Sequence, residues 1–283
     1  MAMRADEHPA DMREDYTFDF DPSQYTDADH NTWNTLCKRQ KPLLVGRACD
    51  EYMASVDTLG IFEENGIPDW RYVSDMLEKM SNWRLVTVPG FIPGDVFLDH
   101  LSKRQFPVTW WIRPPEKIDY LQEPDIFHDL FGHVPMLAHP VFADYMQQFG
   151  LGAVKAKSLG AEDFIGRLYW FTVEFGLIKT KEGLRIYGAG IVSSKSESIY
   201  CLESTIPNRI TLDLMRAMRT DYRIDDVQKD YFVINSFEEL FQMTKPDFTE
   251  YYKKLKALPL IPAKTILPTD EVITKGEGAT SAE

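Results

Sequence analysis

Cysteine is nearly missing from this chain: Cys37, Cys49 and Cys201 are the only three in 283 residues. Three is odd, and no two stand close enough in sequence to build a zinc knuckle, so they read as reduced thiols in a cytoplasmic protein. Long apolar runs are missing too. No stretch approaches the roughly 18 consecutive apolar residues that mark a membrane-crossing helix. The opening MAMRADEHPADMREDYTFDFDPSQ is acidic and has no apolar core, so no signal peptide is expected. Positive charge is in the minority, with 31 Lys and Arg against 44 Asp and Glu and a formal net charge of −13. So acidic a surface repels phosphate backbones and anionic lipid, which argues against nucleic acid and membrane partners and leaves small molecules. Internal repeats and an inter-domain linker are also wanting.

What the chain does hold is apolar and aromatic: 44% hydrophobic residues and 13% Phe, Trp and Tyr. A chain of this length can bury roughly three quarters of its unfolded surface, so a substantial core is expected. Residues 1–27 are polar with little periodicity and read as a flexible or loosely docked arm. Helical spacing then predicts helices from about Asp29 to Leu44, over Cys49–Leu59 and over Trp70–Trp83. Arg84–Val88 reads as a strand stopped by Pro89-Gly90, Pro93–Arg104 as a helix, and Phe106–Arg113 as β-like. A helix starts at Pro124-Asp125; longer ones fit His139–Leu151 and Glu162–Ile178. Leu184–Ala189 and Tyr231–Ile234 read as strands, and Thr211–Arg219, Phe237–Met243 and Phe248–Leu258 as helices. The tail 264–283 is polar and should fray. The expected fold is mainly α with a few short β-strands, one domain over 28–263.

The chemistry concentrates between Glu123 and Pro135, where His128 and His133 stand five residues apart. On an uninterrupted α-helix that spacing is about 140° of rotation, too wide for easy chelation. Gly132 offers a way out: a glycine in the left-handed conformation would end the helix and let His133 fold back toward His128. Pro135 would keep the helix from resuming cleanly. Such a histidine pair means little by itself. Glu174 adds weight, because its helix is apolar on nearly every side and a glutamate is almost never fully buried unless it is paired or metal-bound. The partner would be a cation: Arg167, Arg185 or a metal. Two His and one carboxylate match the facial triad of non-haem Fe(II) oxygenases, and they suit a catalytic zinc as well. The spacing is not His-Glu-x-x-His, and no Glu lies between the histidines to act as base. The adjacent acid, Asp129, is placed for a metal-bound water or a cofactor amine.

Three segments carry a resemblance. Pro124-Asp125-Ile126-Phe127-His128-Asp129-Leu130-Phe131-Gly132-His133-Val134-Pro135 resembles the metal motif of the pterin-dependent aromatic amino acid hydroxylases. Tyr169-Trp170-Phe171-Thr172-Val173-Glu174-Phe175-Gly176-Leu177 resembles their second motif, and Tyr187-Gly188-Ala189-Gly190-Ile191-Val192-Ser193-Ser194 a third. The likeness runs from about Asp29 to Asp247 and is nearest the short bacterial branch that acts on phenylalanine. It implies a single catalytic domain of that type, a monomer, and a monooxygenase reaction: L-phenylalanine to L-tyrosine with O2 and tetrahydrobiopterin or a related tetrahydropterin. It implies Fe(II) on His128, His133 and Glu174. It also implies a pterin stacked on Phe97, lined by Gly90 and Ile92, bonded through water by Asp129, with Tyr169 between pterin and iron. Arg113, held by Asp125, would clamp the substrate carboxylate, with Ser193 and Gly190 nearby; Pro124, Trp170 and Phe175 would wall the ring. Animal members carry a threonine where this chain has Leu121. Ile224 stands at the position where tyrosine hydroxylases carry an acid, which favours phenylalanine, although Asp225 and Asp226 are adjacent. Tryptophan or tyrosine hydroxylation in the same family, a zinc hydrolase on the same ligands, and a catalytically dead binder are the alternatives.

Overall fold

A capping box opens the first helix. The Thr26 hydroxyl accepts from Asp29 N at 3.3 Å, and the Asp29 carboxylate accepts from Thr26 N at 2.8 Å. These bonds satisfy two of the donors that every helix start leaves open. Helix Asp27–Leu44 follows, then Asp50–Thr58 and Trp70–Ser81, the last closed by Asn82 in the left-handed conformation. The structure is a computed structural model that describes residues 9–62, 65–119, 121, 123–245 and 247–281. The family-type architecture expected from sequence is present: mainly helix with short strands around one large core.

Two β-units frame the helices. Arg84–Val88 and Gln105–Thr109 pair in parallel and are joined by helix Gly94–Ser102, a compact crossover. A five-stranded sheet runs in the order Gly183–Ile186, Leu177–Thr180, Asp230–Ile234, Asn208–Thr211, Val272–Thr274. Its two inner pairings are parallel and its outer two antiparallel. The long helix Pro140–Ser158 packs against the crossover helix and against Phe237–Thr244. Trp33, Tyr52, Phe62, Phe127 and Phe131 interlock at the centre: Phe127 stacks on Phe131 at 4.5 Å, and Trp33 meets Phe127 edge-on at 5.3 Å.

Several sequence expectations need correction. The helix expected over Glu162–Ile178 ends at Glu174, and Leu177–Thr180 is a strand, because Gly176 and the return hairpin Gly183–Ile186 draw the apolar residues Leu177 and Ile178 into the sheet. The helix expected over Thr211–Arg219 is a strand, Asn208–Thr211, followed by one turn, Leu214–Ala217, capped by Asp213. The expected arm 1–27 is docked where it is described: Phe18 and Phe20 are buried against Trp110. Its first eight residues lie outside the described ones. The tail expected to fray instead adds Val272–Thr274 to the sheet edge. Arg216 pins it with a buried ion pair to Asp270 at 3.0 Å and a bond to Thr265 O at 2.6 Å.

Candidate metal centre and adjoining pocket

The two histidines meet by a different device from the one their spacing suggested. Phe127–His133 is a π-helix, so each backbone bond spans five residues, and residues five apart share one face. His128 and His133 therefore point the same way while Phe127 and Phe131 enter the core. Gly132 does not take the left-handed conformation. Its glycine is needed for another reason: a Cβ there would lie 2.9 Å from Ala189 O, on the neighbouring turn Ala189–Val192. Tyr52 donates from its hydroxyl to Phe131 O at 2.6 Å, giving a π-helix carbonyl a buried partner. Pro135 sits in the first turn of Val134–Leu137 and does not stop the chain from continuing as helix.

Glu174 arrives by the same means. It ends a second π-helix, Trp170–Glu174, which closes with Phe175 N bonded to Trp170 O at 2.9 Å. Glu174 Oε1 lies 3.1 Å from His133 Nε2, and Oε2 lies 3.7 Å from His128 Nε2. The two Nε2 atoms are 3.0 Å apart, and the three ligand atoms fall within 4.8 Å of one another. Neither arginine alternative survives: Arg167 bonds Asp163 O, and Arg185 bonds Glu182. Burial pushes Glu174 up, yet His133, His128 and the Gly190 N–H outweigh it and hold the carboxyl below its ordinary value. Gly190 must be small, since a Cβ there would lie 3.1 Å from Glu174 Oε2. Burial also drives His128 down to about 4, so its imidazole is neutral near pH 7.

Ser193 decides which nitrogen of His128 is free. Its hydroxyl donates to Ala189 O at 2.7 Å and faces His128 Nδ1 at 3.0 Å. With its proton spent, the oxygen accepts, so Nδ1 carries the hydrogen and Nε2 presents its lone pair toward His133 and Glu174. The arrangement, two imidazole lone pairs and one carboxylate converging from three directions, is a donor set for a divalent transition metal. Sequence reasoning had Ser193 beside the substrate carboxylate; in the structure its hydroxyl bonds Ala189 O and faces His128 Nδ1.

Asp125 and Arg113 lie on the rim. Asp125 is wholly buried and accepts from Arg113 Nε and Nη2, both at 2.8 Å, from Arg113 N at 2.9 Å and from His128 N at 3.0 Å. The guanidinium keeps Nη1 with only a long 3.5 Å contact to Ile118 O. Asp129 accepts from Thr109 N at 2.7 Å, and burial pushes its carboxyl up to about 7. Tyr169 stands between His133 (6.2 Å, near-parallel) and Phe97 (5.7 Å, edge-on), and Phe97 projects from the crossover helix. Gly90 and Ile92 lie on the loop leading into that helix. Trp170 packs on Phe175 at 4.7 Å and on Tyr222 at 4.5 Å, with Pro124 half-buried nearby in sequence to Asp125. Leu121 is half-buried and Ile224 exposed. Tyr52, Thr109 and the histidine-facing role of Ser193 had no sequence signal; each depends on a contact across many residues.

Comparison with known proteins agrees with this geometry. The sequence model of the family described as biopterin-dependent aromatic amino acid hydroxylase matches residues 11–260. The chain is 55% identical over 265 residues to a phenylalanine-4-hydroxylase of Ralstonia nicotianae, covering 94% of this chain and 84% of that one. It is 54% identical over 263 residues to that of Chromobacterium violaceum, covering 93% and 88%. A crystal structure of the Chromobacterium violaceum enzyme with iron(III) and the oxidised cofactor 7,8-dihydrobiopterin superposes with a TM-score of 0.88 at 53% identity, covering 94% of this chain and 95% of that one.

Proposed function

The chain belongs to the biopterin-dependent aromatic amino acid hydroxylases, and from that premise we propose that it is a phenylalanine 4-monooxygenase. It would convert L-phenylalanine to L-tyrosine with O2 and a tetrahydropterin at a non-haem Fe(II) centre. One observation carries the reading: His128, His133 and Glu174 converge within 4.8 Å while Asp125, 0% exposed, joins their first member to Arg113. A partly buried three-ligand site and a carboxylate-binding fork thus share one support.

The residues divide the work as follows. His128, His133 and Glu174 hold the iron, leaving the remaining coordination positions open. Iron and tetrahydropterin together supply the oxygen chemistry. Arg113 offers its Nη1 N–H groups and the second N–H of Nη2 to the substrate carboxylate, because Asp125 accepts from Nε and from one N–H of Nη2 and fixes the plane of the fork. Gly190 keeps the floor beside Glu174 low. Trp170, Phe175 and Pro124 wall the aromatic ring, offering it apolar faces. On the other side Phe97 and Tyr169, with Gly90 and Ile92, receive the pterin, and Asp129 faces it with a carboxyl that burial brings close to neutrality.

The same reading covers the whole chain: a cytoplasmic monomer whose catalytic domain, expected over 28–263, also takes in the docked segment around Phe18 and the tail strand Val272–Thr274. The cysteines are all buried, no helix among the described residues is long and apolar enough to cross a membrane, and a net charge of −13 opposes self-association. The test is direct. Protein loaded with Fe(II) and given a tetrahydropterin, phenylalanine and air should form tyrosine, and zinc-loaded protein should not. No hydroxylated product from phenylalanine would overturn the proposal; faster turnover of tyrosine or tryptophan would reassign the substrate within the family.

A further inference from the structure

Gln228 is a glutamine with almost no solvent contact, 4% exposed, and its three side-chain hydrogen bonds go to Trp170 and to the loop that precedes it. Its Oε1 accepts from Trp170 Nε1 at 2.9 Å. Its Nε2 donates to Arg223 O at 3.0 Å and to Asp226 O at 3.3 Å. The orientation of the amide is forced, because an indole only donates and backbone carbonyls only accept. Its own N–H donates to the buried Glu197 at 3.1 Å, and Glu197 is held in turn by the Tyr231 hydroxyl. The loop Asp221–Val227 touches Trp170 a second time through Tyr222, whose ring stacks on the indole at 4.5 Å and 23°. That loop carries exposed Ile224.

We propose that Gln228 is a positioning residue for substrate selection: it ties the loop 221–227 to the indole of Trp170 and thereby fixes the outer wall of the aromatic-ring pocket. The inference rests on the reading of Trp170 as a wall of that pocket. The chain of contact is short. Trp170 bears on Phe175, and Phe175 follows Glu174 and lies 3.0 Å from where a Gly190 Cβ would stand. A shift of the indole therefore moves the surface facing the ring without touching Phe97 or the crossover helix on the pterin side. No other side chain of this length supplies one acceptor and two donors in this arrangement. Asparagine is a methylene too short. Glutamate would still accept from the indole but would aim lone pairs at two carbonyls. Methionine fills the volume and makes none of the three bonds.

The test uses the iron-loaded enzyme with Gln228→Met and Gln228→Glu, each checked for iron content and thermal midpoint. The expected result is a rise of about three- to tenfold in the phenylalanine KM, the size of one or two lost buried hydrogen bonds. The tetrahydropterin KM should stay within about twofold, and kcat/KM for tryptophan relative to phenylalanine should increase as the wall loosens. Trp170→Phe, which keeps a ring but loses the indole donor, should reproduce part of the shift, and the double variant with Gln228→Met should fall short of the summed effects. A phenylalanine KM and amino acid preference unchanged in both Gln228 variants, while Trp170→Ala raises that KM, would overturn the positioning role alone. Equal rises in both KM values would also overturn it, marking a merely structural residue. If Trp170→Ala leaves the phenylalanine KM unchanged, the pocket reading itself fails.

Discussion

At the residue scale, single side chains at this centre have one task each, and the tasks are separable. Glu174 is the sole carboxylate among the three converging groups. Glu174→Ala should abolish tight iron binding, read by metal analysis after dialysis, while the far-UV spectrum stays that of a folded helical protein. Full retention of iron would remove the ligand assignment. Ser193 tests the tautomer argument. Ser193→Ala takes away the acceptor for His128 Nδ1–H, and iron affinity measured against a competing chelator should fall about 10- to 100-fold; an unaltered affinity would mean that something else orients the ring. Ligand identity was legible in the sequence through the motif resemblance, because a histidine pair and an acid in an apolar helix by themselves left an arginine partner open. The partner of Ser193 was not, since a hydroxyl hydrogen bond across 65 residues of chain leaves no local pattern.

At the element scale, the decisive feature is a helix wound wider than usual, twice. The spacing of His128 and His133 gave the right conclusion, convergence, through the wrong geometry, because α-helical rotation was applied to a segment whose bonds span five residues. Nothing in Phe-His-Asp-Leu-Phe-Gly-His by itself announces that winding. Its causes lie elsewhere, in Tyr52 below and in the Ala189 turn that needs Gly132 beside it. Tyr52→Phe should therefore cost about 1–3 kcal/mol in urea unfolding by leaving the Phe131 carbonyl without a partner in the core; a change well under that would mean the carbonyl is satisfied otherwise. The helices Asp50–Thr58, Trp70–Ser81 and Phe237–Thr244 and the strands Arg84–Val88 and Asp230–Ile234 were readable within a residue or two of their ends, since apolar spacing and turn residues agree there, whereas the helix expected over His139–Leu151 runs on to Ser158. The strand Leu177–Thr180 was hidden by running straight on from an apolar helix, and the tail strand by its polar composition, which reflects a sheet edge.

At the scale of the whole molecule, stability depends on buried charges outside the three-ligand site. Arg216 and Asp270 are each 3% exposed and tie the tail to the body. Arg216→Met would leave Asp270 buried without a counter-charge and should cost about 3–5 kcal/mol, measured as a lowered urea midpoint. Glu197 gives the molecule a pH dependence of definite sign. Burial lifts its carboxyl above the ordinary glutamate value, with Asp226 adding to the rise and Tyr231, Gln228 and Lys229 drawing it down. The folded state thus holds that proton more tightly than the unfolded one, so its contribution is present at low pH and lost as pH climbs from the ordinary glutamate range through the raised value. Glu197→Gln should gain on the parent protein as pH climbs out of the ordinary glutamate range; a difference in unfolding midpoint that does not change with pH there would refute the raised carboxyl. Asp125 has a wider implication. One carboxylate grips both the guanidinium of Arg113 and the backbone at His128, so the fork and the first ligand share a footing even though Ser193 steadies the imidazole from its other side. Loss of that carboxylate would unseat both at once, which makes Asp125 a keystone rather than a counter-ion.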